Sequence, residues 1–418
     1  MEYNYDKKAL KSLSVGAFLA LDKVRNAKIS EAPDTPPVCE FNVNRLAKAL
    51  HPKIQYARVS AVIEHADAKS FVLKPDRTKG ASSFAYFRSG QYVSVFLQIG
   101  GAKLSKPYSI RSSPKDALGE KETSYTLTVK KSDKGYASEY ILNNWKEDSE
   151  IALSAPLGNF YYERLRDAKA VIALAGGSGI TPFYSMASAI ADGIEDFTLT
   201  ILYGSRTGES ILLRGELDAV AARSGGKVKI VHVLSDEKAE GCEHGFLTAE
   251  IISKYAPAGD FSVFMCGPRA MYEFEEGEIA KLKLPRRRVR RELFGEFGDP
   301  SKDPAYPGVA TGAGADAGGS VAADKSFRLE VDVFGQKKTL SCRASQTLLS
   351  AMEDAGIAAP SHCRSGDCGW CHSRLISGEV FVPASVDGRR LADPKFNWIH
   401  PCCSYPLSDI SLDVPVIY

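Results

Sequence analysis

The sequence predicts a multidomain fold: an antiparallel β-barrel, then an α/β domain with a doubly wound parallel sheet, then a smaller C-terminal domain. Up to Pro156–Gly158, short alternating apolar runs are bounded by Gly and Pro, which is typical of antiparallel strands. Beyond that point, apolar strands alternate with helical patterns, which indicates a parallel sheet. Residues 299–324 show no apolar period and separate the last part of the chain. A chain of 418 residues has room for two or three domains.

The first two predicted regions are an N-terminal extension, residues 1–53, and the barrel, residues 54–157. The extension looks partly helical, with Lys8–Val24 and Val43–Leu50 as the candidate helices, and it carries no motif that indicates a role. The barrel strands are expected in Gln55–Ile63, Gln91–Leu97 and Tyr125–Val129.

The predicted α/β domain covers residues 158–298 and contains four strand–helix pairs. In each pair an apolar run precedes a segment of helical period. The pairs are Val171–Ala175 with a helix from Thr181, Thr198–Tyr203 with Arg214–Arg223, Val228–Leu234 with Thr248–Tyr255, and Ser262–Met265 with Ala270–Leu282.

Residues 299–324 are predicted to form a linker to the last domain, residues 325–418. Alanine, glycine and proline make up 15 of the 26 linker positions. As a flexible coil the linker would span roughly 28 Å. The C-terminal domain is therefore expected either to dock on its neighbour or to swing away from it.

Four cysteines in the C-terminal domain have the C-x4-C-x2-C…C spacing of [2Fe–2S] ligands: Cys363, Cys368, Cys371 and Cys402. Glycines 366 and 369 lie within this loop, where a missing Cβ allows the tight curl that brings thiolates to two irons. The alternatives are a zinc knuckle or buried thiols, although zinc sites usually pair one C-x2-C with another.

The cysteine loop, residues 363–371, together with Cys402-Cys403-Ser404-Tyr405-Pro406 and a strand-like Asp409–Val414, resembles the plant-type ferredoxins. The resemblance implies an α+β fold of the β-grasp type. In that family a Tyr-Pro or Arg-Pro pair follows the last ligand, which favours Cys402 over Cys403. Cys342 precedes the loop on a predicted strand and is interpreted as a small buried side chain.

Lys106-Pro107-Tyr108-Ser109-Ile110 resembles the Arg-x-Tyr-Ser motif of the ferredoxin–NADP reductase superfamily. The resemblance implies a flavin whose ring lies on Tyr108 and whose N5 is near Ser109, with Ile110 beside it. Lys106 would neutralise flavin phosphate, but it offers a point charge where the family usually has the arginine fork, so Arg111 is expected to share this role. Alone, the motif would be a strand with a surface tyrosine.

Gly135 and Ser138 open a predicted helix, Ala137–Asn144. Backbone N–H groups at a helix N-terminus stabilise anions. In the resembled family this Gly-x-x-Ser turn holds flavin phosphates, whereas alone it would be an ordinary helix start.

A glycine loop, residues 176–182, follows the first strand of the α/β domain and precedes a helix. Glycines here let a dinucleotide pyrophosphate approach the helix N-terminus closely. The resemblance therefore implies that this loop binds NAD(P)H, through Gly176, Gly177, Gly179 and Thr181.

Two later motifs match those of the same family in their order along the chain and in their residue types. Ser205 and Arg206 end a strand where a 2′-phosphate could bind, with Arg214 as a further candidate, although an arginine there can also stack on adenine. Cys266 and Gly267 would face the nicotinamide, and Cys266 alone would be a buried strand-end thiol.

A closing Glu-Leu-Phe-Gly motif contains Glu292 and Phe294. In members of the family with an appended ferredoxin, these two residues approach the flavin edge. Phthalate dioxygenase reductase and the hybrid-cluster protein reductases share this C-terminal position of the ferredoxin. Because the first of these binds FMN, the order of domains leaves FMN as an alternative to FAD, the usual flavin of the superfamily.

The composition and net charge restrict the classes of partner and the cellular compartment that this protein can have. A net charge of +2 argues against a nucleic-acid partner. The longest N-terminal apolar run, Val15–Leu21, is too short for a membrane span. Nine cysteines, four of them assigned to iron, fit a reducing compartment, which predicts a cytoplasmic protein.

The basic run Pro285–Arg291 is a solvated face or a docking surface for an acidic partner. His362 and His400 flank the cluster cysteines.

These motifs together imply an NAD(P)H-dependent oxidoreductase. Hydride from NADH or NADPH would reduce the flavin, with Ser109, Cys266 and Glu292 at the reacting atoms. Single electrons would then pass to the cluster and on to a protein acceptor, an oxygenase or another metalloenzyme component. The alternative is a redox-sensing protein in which the cluster state controls binding.

Overall fold

A computed structural model describes residues 15–31, 41–50, 52–119, 122–132, 135–308, 325–333 and 335–414. The chain divides into two compact units, Met1–Ala49 and Leu50–Tyr418. The N-terminal helices are α1, Val15–Glu31, and α2, Asn42–Leu50. The helix predicted at Val43–Leu50 is confirmed, whereas the earlier helix begins at Val15, and residues 8–14 of that prediction lie outside the described residues.

The barrel consists of one antiparallel six-stranded sheet in the order β4-β3-β6-β1-β2-β5. A bridge between Ile110 and Leu127 brings the two edges together, which curls the sheet around an apolar core. Helix α3, Tyr136–Asn144, packs on β5. The strands are β1 Gln55–Glu64, β2 Ala68–Pro75, β3 Tyr92–Ile99, β4 Ala102–Ser109, β5 Tyr125–Lys130 and β6 Glu150–Leu153.

The second sheet is parallel, in the order β10-β9-β8-β7-β11-β12. The chain runs outward from β7 to β10 and then returns to place β11 beside β7, so the topological switch point lies between β7 and β11. The strands are β7 Ala170–Gly176, β8 Thr198–Ser205, β9 Val228–Leu234, β10 Glu243–His244, β11 Ser262–Cys266 and β12 Val289–Glu292; the helices are α4 Ile180–Ala191, α5 Arg214–Arg223, α6 Ala249–Tyr255 and α7 Arg269–Lys281.

The C-terminal domain has a mixed five-stranded sheet in the order β14-β13-β19-β15-β17, covered by helix α8, Leu348–Asp354. The buried Cys342 lies on β14 in the core of this domain, as predicted. The strands are β13 Ser326–Val333, β14 Gln336–Arg343, β15 Ser373–Ser377, β16 Val380–Phe381, β17 Trp398–Ile399, β18 Tyr405–Pro406 and β19 Ile410–Val414.

The predicted fold class is therefore confirmed: a curled antiparallel sheet, a parallel α/β sheet and a small α+β domain. Part of the predicted linker is packed, because Pro300 is buried and the Tyr306 ring lies 5.0 Å from the Phe381 ring of the C-terminal domain. Residues 309–324 of the linker lie outside the described residues. Among the described helices, we find none whose length and apolar character would let it cross a membrane.

Candidate functional site

The four predicted ligand cysteines come together as two pairs. The Cys371 and Cys402 sulfurs lie 3.4 Å apart. The Cys363 and Cys368 thiols contact each other, and the Cys368 N–H points at the Cys363 sulfur from 3.4 Å. Two thiols per pair suit two irons, so the residues present fit a [2Fe–2S] cluster.

Backbone N–H groups surround these sulfurs. Ser365 donates toward the Cys363 sulfur and Trp370 toward the Cys368 sulfur, each at 3.5 Å. Glycines 366 and 369 have φ values of 82° and 70°, which permits this curl. Within the described ranges, no group of three or more His, Cys, Asp or Glu side chains is arranged to hold a single metal ion.

The residues beside the ligand cysteines form hydrogen bonds of their own. The Cys403 thiol donates to the His400 carbonyl oxygen at 3.4 Å and also contacts the Cys402 thiol. His400 Nδ1 lies 2.7 Å from the Gly366 carbonyl oxygen and supports the loop. The 3.4 Å contact between the Cys371 and Cys402 sulfurs is what favours Cys402 as the fourth ligand.

One corner of the cluster loop reaches the surface. Three of the cysteines are buried, whereas Cys368 is exposed. The neighbouring Trp370 side chain is 40% exposed. Both side chains also line a cavity between the barrel and the cluster loop.

Four of the predicted flavin residues line one cavity of about 520 Å³. Lys106 and Tyr108 from β4 face the start of α3, where Gly135 and Ser138 lie. The Ser138 hydroxyl donates to the Gly135 carbonyl oxygen at 2.8 Å. Burial lowers the pKa of Lys106, which an anionic phosphate would offset. Arg364 and the carboxyls of Glu296, Glu353 and Asp354 complete the lining, so a flavin phosphate would meet Lys106 and the α3 N-terminus with acidic groups on the opposite side.

The other predicted barrel residues lie around this strand end. Ser109 is buried and pairs with Tyr92 across β3 and β4. The Ile110 side chain lies in the barrel core and its N–H donates to Gln91, so the structure does not bring it to the cavity. Arg111 is also directed elsewhere: its guanidinium lies over the Tyr184 ring, 3.8 Å from Glu216.

A second cavity, of about 350 Å³, joins the barrel to the cluster loop. Tyr92 and Phe294 pack edge to face with ring centroids 5.0 Å apart, and the cavity continues to Cys363 and Cys368. The Glu292 carboxyl lines it too, and burial raises the pKa of this carboxyl well above its usual range. Aromatic and thiol groups here would lie between a bound flavin and a bound cluster.

The Glu-Leu-Phe-Gly motif contacts the cluster loop directly. The Gly295 N–H donates to the Cys363 carbonyl oxygen at 3.3 Å. Sequence reasoning missed Tyr92 and this hydrogen bond, because an aromatic residue at a strand start and a glycine after a strand are common patterns.

The predicted nicotinamide residues meet at the switch point of the parallel sheet. Gly179 lies against the Cys266 carbonyl group, where any β-carbon would collide with the oxygen. Cys266 is buried and pairs with Glu292 across β11 and β12. Thr181 donates to the Ser178 carbonyl oxygen at 2.9 Å and so stabilises the first turn of α4.

Two further glycines of this site are held by close packing. A β-carbon on Gly176 or Gly267 would meet the Met271 sulfur. Gly177 has a φ of 53° and accepts a hydrogen bond of 2.9 Å from the Tyr203 hydroxyl. The loop therefore keeps its backbone close to the site where a pyrophosphate would bind.

The adenosine end of the site carries carboxylates that sequence reasoning missed. Arg206, which follows Ser205, pairs with Asp236 at 2.9 Å. The Gly208 N–H donates to the Glu237 carboxylate at 2.5 Å, and Arg214 lies beside the same glycine. The ends of β8 and β9 thus bring two arginines and two carboxylates together.

The basic run Pro285–Arg291 is mostly paired within the domain. Arg288 pairs with Asp260, Arg290 donates to the Asn159 carbonyl oxygen, and Arg291 pairs with Glu276.

A larger cavity, of about 840 Å³, runs along the same barrel face between Phe96 and residues 358–362. None of the predicted site residues lines it.

Comparison with known families agrees with this arrangement. The chain matches, in order, the oxidoreductase FAD-binding domain over residues 62–162, the oxidoreductase NAD-binding domain over residues 173–276, and the 2Fe-2S iron-sulfur cluster binding domain over residues 331–407. These matches confirm FAD, NAD(P)H and a [2Fe–2S] cluster as the cofactors and co-substrate.

Curated relatives share the same layout. The ferredoxin reductase component of a 3-ketosteroid-9-alpha-monooxygenase from Mycobacterium tuberculosis (strain CDC 1551 / Oshkosh) is 31% identical over 309 residues, which cover 73% of this chain and 78% of the relative. A glycine betaine monooxygenase reductase subunit from Chromohalobacter salexigens is 26% identical over 362 residues, 85% of this chain and 94% of the relative.

Among solved structures, phthalate dioxygenase reductase has the same fold. It superposes with a TM-score of 0.60 at 24% identity and covers 86% of this chain and 98% of its own. The order of motifs, the two cysteine pairs and these relatives lead to one conclusion: the chain belongs to the ferredoxin–NADP reductase superfamily, as a flavoprotein reductase with a C-terminal [2Fe–2S] ferredoxin domain.

Proposed function

We propose that this chain is the reductase component of a multicomponent oxygenase and passes electrons from NADH to a separate oxygenase protein. The observation that carries the proposal is the cavity that joins the barrel residues Tyr92 and Phe294 to the cluster cysteines Cys363 and Cys368, because it would place flavin and cluster on one electron path. The monooxygenase names of the curated relatives support the same class of acceptor.

Bound FAD can accept a hydride and release its electrons one at a time to a bound cluster. The residues of this chain would hold and orient those groups. Lys106 and the α3 N-terminus would bind flavin phosphate, and Tyr108 would support the ring. Cys266 and Glu292 would border the nicotinamide, and burial raises the pKa of the Glu292 carboxyl well above its usual range.

We propose NADH as the physiological donor. Arg206 is paired with Asp236, and Arg214 shares its surroundings with Glu237, so the two positive charges are balanced by two negative ones. A 2′-phosphate would bring further negative charge to a site with no excess of positive charge.

We also propose that the protein acts in the cytoplasm. In the part of the chain that the structure describes, eight cysteines are free thiols and none forms a disulfide. Thiols in this state, four of them arranged for iron, suit a reducing compartment.

Anaerobic co-purification tests the acceptor. The tagged holoenzyme would be used as bait in an extract of its own host, and any captured oxygenase component would be purified and assayed for NADH-driven substrate oxidation. We expect turnover that requires both proteins. If no redox protein is captured and a small quinone is reduced rapidly instead, the oxygenase proposal is wrong.

A further inference from the structure

The ferredoxin domain lies on the β3–β4 hairpin of the barrel, through polar contacts that are separate from the cluster ligands. The Ser105 hydroxyl donates to the Ser361 carbonyl oxygen at 3.2 Å. The Ser94 hydroxyl lies 3.2 Å from His362 Nδ1. The hairpin therefore presents hydrogen-bonding groups that match the segment just before the cluster loop.

Arg364 lies at the centre of this contact and joins three parts of the chain. Its guanidinium donates to both carboxylate oxygens of Glu353, at 2.6 and 2.8 Å, within the ferredoxin domain. It also donates to the Ser105 carbonyl oxygen of the barrel at 3.2 Å. A third partner is the Glu296 carboxylate, four residues beyond the end of β12.

The Arg364 network has a buried centre and joins charges of both signs. The Arg364 and Glu353 side chains are each 2% exposed, whereas Glu296 is 23% exposed. Lys106 is half-buried, and its pKa responds first to burial and then to Arg364 and the nearby carboxylates. The buried Arg364–Glu353 pair therefore depends on close hydrogen bonding for compensation, and Glu296 adds a third charge at its edge.

Two backbone amides report on the docked arrangement. The Ser105 N–H donates to the Glu353 carboxylate at 3.4 Å, and the Gly295 N–H donates to the Cys363 carbonyl oxygen at 3.3 Å. Both hydrogen bonds exist only when the ferredoxin domain lies on the barrel and against the closing motif.

We propose that Arg364 is a positioning residue that holds the ferredoxin domain on the barrel, in the orientation in which electrons pass from flavin to cluster. Its partners outside the ferredoxin domain are Ser105 and Glu296. Arg364 follows the ligand Cys363 directly, so fixing its guanidinium also fixes the distance from the cluster to the flavin edge. This role does not depend on which protein accepts the electrons.

The test uses the holoenzyme with Glu296→Lys, which places a positive charge opposite Arg364 and leaves the Arg364–Glu353 pair within the ferredoxin domain. Glu296→Asp is the conservative rescue. The matched control is Glu330→Gln, which also breaks a Glu–Arg pair, but one whose Glu330 and Arg328 side chains are 48% and 61% exposed. Flavin and cluster contents are measured by absorbance for every variant.

Hydrogen exchange and rapid kinetics are the two readouts. In Glu296→Lys we expect exchange at the Ser105 and Gly295 amides to rise about tenfold or more, and cluster reduction after flavin reduction to slow by a similar factor. Glu296→Asp and Glu330→Gln should resemble the wild type in both measurements.

A second variant keeps the proposal falsifiable if Glu296→Lys fails to fold or loses flavin. Arg364→Lys keeps the charge but cannot reach three acceptors at once, so it should also raise exchange at both amides while the cluster spectrum is unchanged. Wild-type exchange and wild-type cluster reduction in either folded variant would overturn the proposal.

Discussion

The cluster cysteines differ in exposure and in partners, and single substitutions separate their roles. Cys368→Ser removes one thiolate of the Cys363–Cys368 pair. We expect loss of the cluster and collapse of electron transfer to an acceptor, with NADH-to-flavin reduction retained, as measured by absorbance and stopped-flow kinetics. Cys403→Ser is the control, because the Cys403 thiol donates to the His400 carbonyl and should not hold iron. Undiminished acceptor reduction in Cys368→Ser would remove the cluster from the electron path.

Glu275 on α7 is a second residue for which the structure predicts a measurable effect, in this case on stability. Its side chain is 1% exposed, its Oε2 has no hydrogen-bond partner, and burial raises the pKa of the carboxyl to about 9. In the unfolded chain a glutamate ionises near pH ~4.3. The folded state therefore holds a proton that the unfolded state releases, so the free energy of unfolding falls as pH rises from about 4.5 to 9.

Glu275→Gln should remove this pH dependence. We expect the variant to be more stable than the wild type by about 2–4 kcal/mol at pH 8, and by much less at pH 5, in urea unfolding experiments. Glu273→Gln, an exposed carboxyl on the same helix, is the control and should leave the pH profile unchanged. Parallel pH profiles for Glu275→Gln and the wild type would contradict the buried, protonated carboxyl.

At the scale of elements, the switch point depends on α4 approaching β11 closely. Gly179→Ala places a methyl group against the Cys266 carbonyl oxygen. We expect this variant to lose roughly 2–4 kcal/mol of stability and to bind NADH more weakly. Gly277→Ala on α7 is the control: no atom lies within 4 Å of the added carbon, so it should gain about 0.5–1 kcal/mol. Thermal unfolding and nucleotide titration distinguish the two.

We expect the ends of β8 and β9 to determine nucleotide preference. Wild-type protein should have a higher kcat/KM with NADH than with NADPH. Asp236→Asn frees Arg206 and should raise kcat/KM for NADPH about 3- to 10-fold, with a smaller effect on NADH. Asp192→Asn, which breaks the Asp192–Arg223 pair at the other end of α5, should change neither value. A wild-type preference for NADPH would contradict the charge argument.

At the scale of the whole molecule, the docked ferredoxin domain gives electrons a direct route. The Gly295–Cys363 hydrogen bond links the closing motif to a cluster ligand. In an anaerobic titration of the wild type with NADH we therefore expect flavin and cluster absorbance to bleach together without any partner protein. Bleaching of flavin alone would mean that the ferredoxin domain is undocked in solution, and bleaching of neither would contradict the reductase function.

Contacts with the ferredoxin domain also restrict the first part of the linker. Tyr306 packs on Phe381, so the segment 299–308 is attached to the ferredoxin domain before the rest of the linker begins. The hypothesis that this domain swings away between reduction and delivery stays a prediction, because residues 309–324 of the linker lie outside the described residues.

The sequence by itself determined the fold class and the order of cofactors, and it predicted the four cluster cysteines. Most of this depends on local spacing: three cysteines within one loop, glycines between a strand and a helix, and apolar periods of two or 3.6 residues, whereas Cys402 was predicted from the Tyr-Pro pair that follows it in the resembled family. Residues that are close in sequence must meet in space, so a pattern of this kind predicts a site directly.

Only the tertiary structure decided which residues join the domains. Arg364 and Ser105 are 259 residues apart, and Ser94 and His362 are 268 apart. The same holds for Tyr92 beside Phe294, and for Asp236 beside Arg206. Their contacts depend on how sheets and domains pack, and a single arginine or tyrosine carries no local pattern that shows its distant partner. The loop motifs therefore predicted the cofactors of this protein. The contacts that connect the cofactor sites were established only by the folded structure.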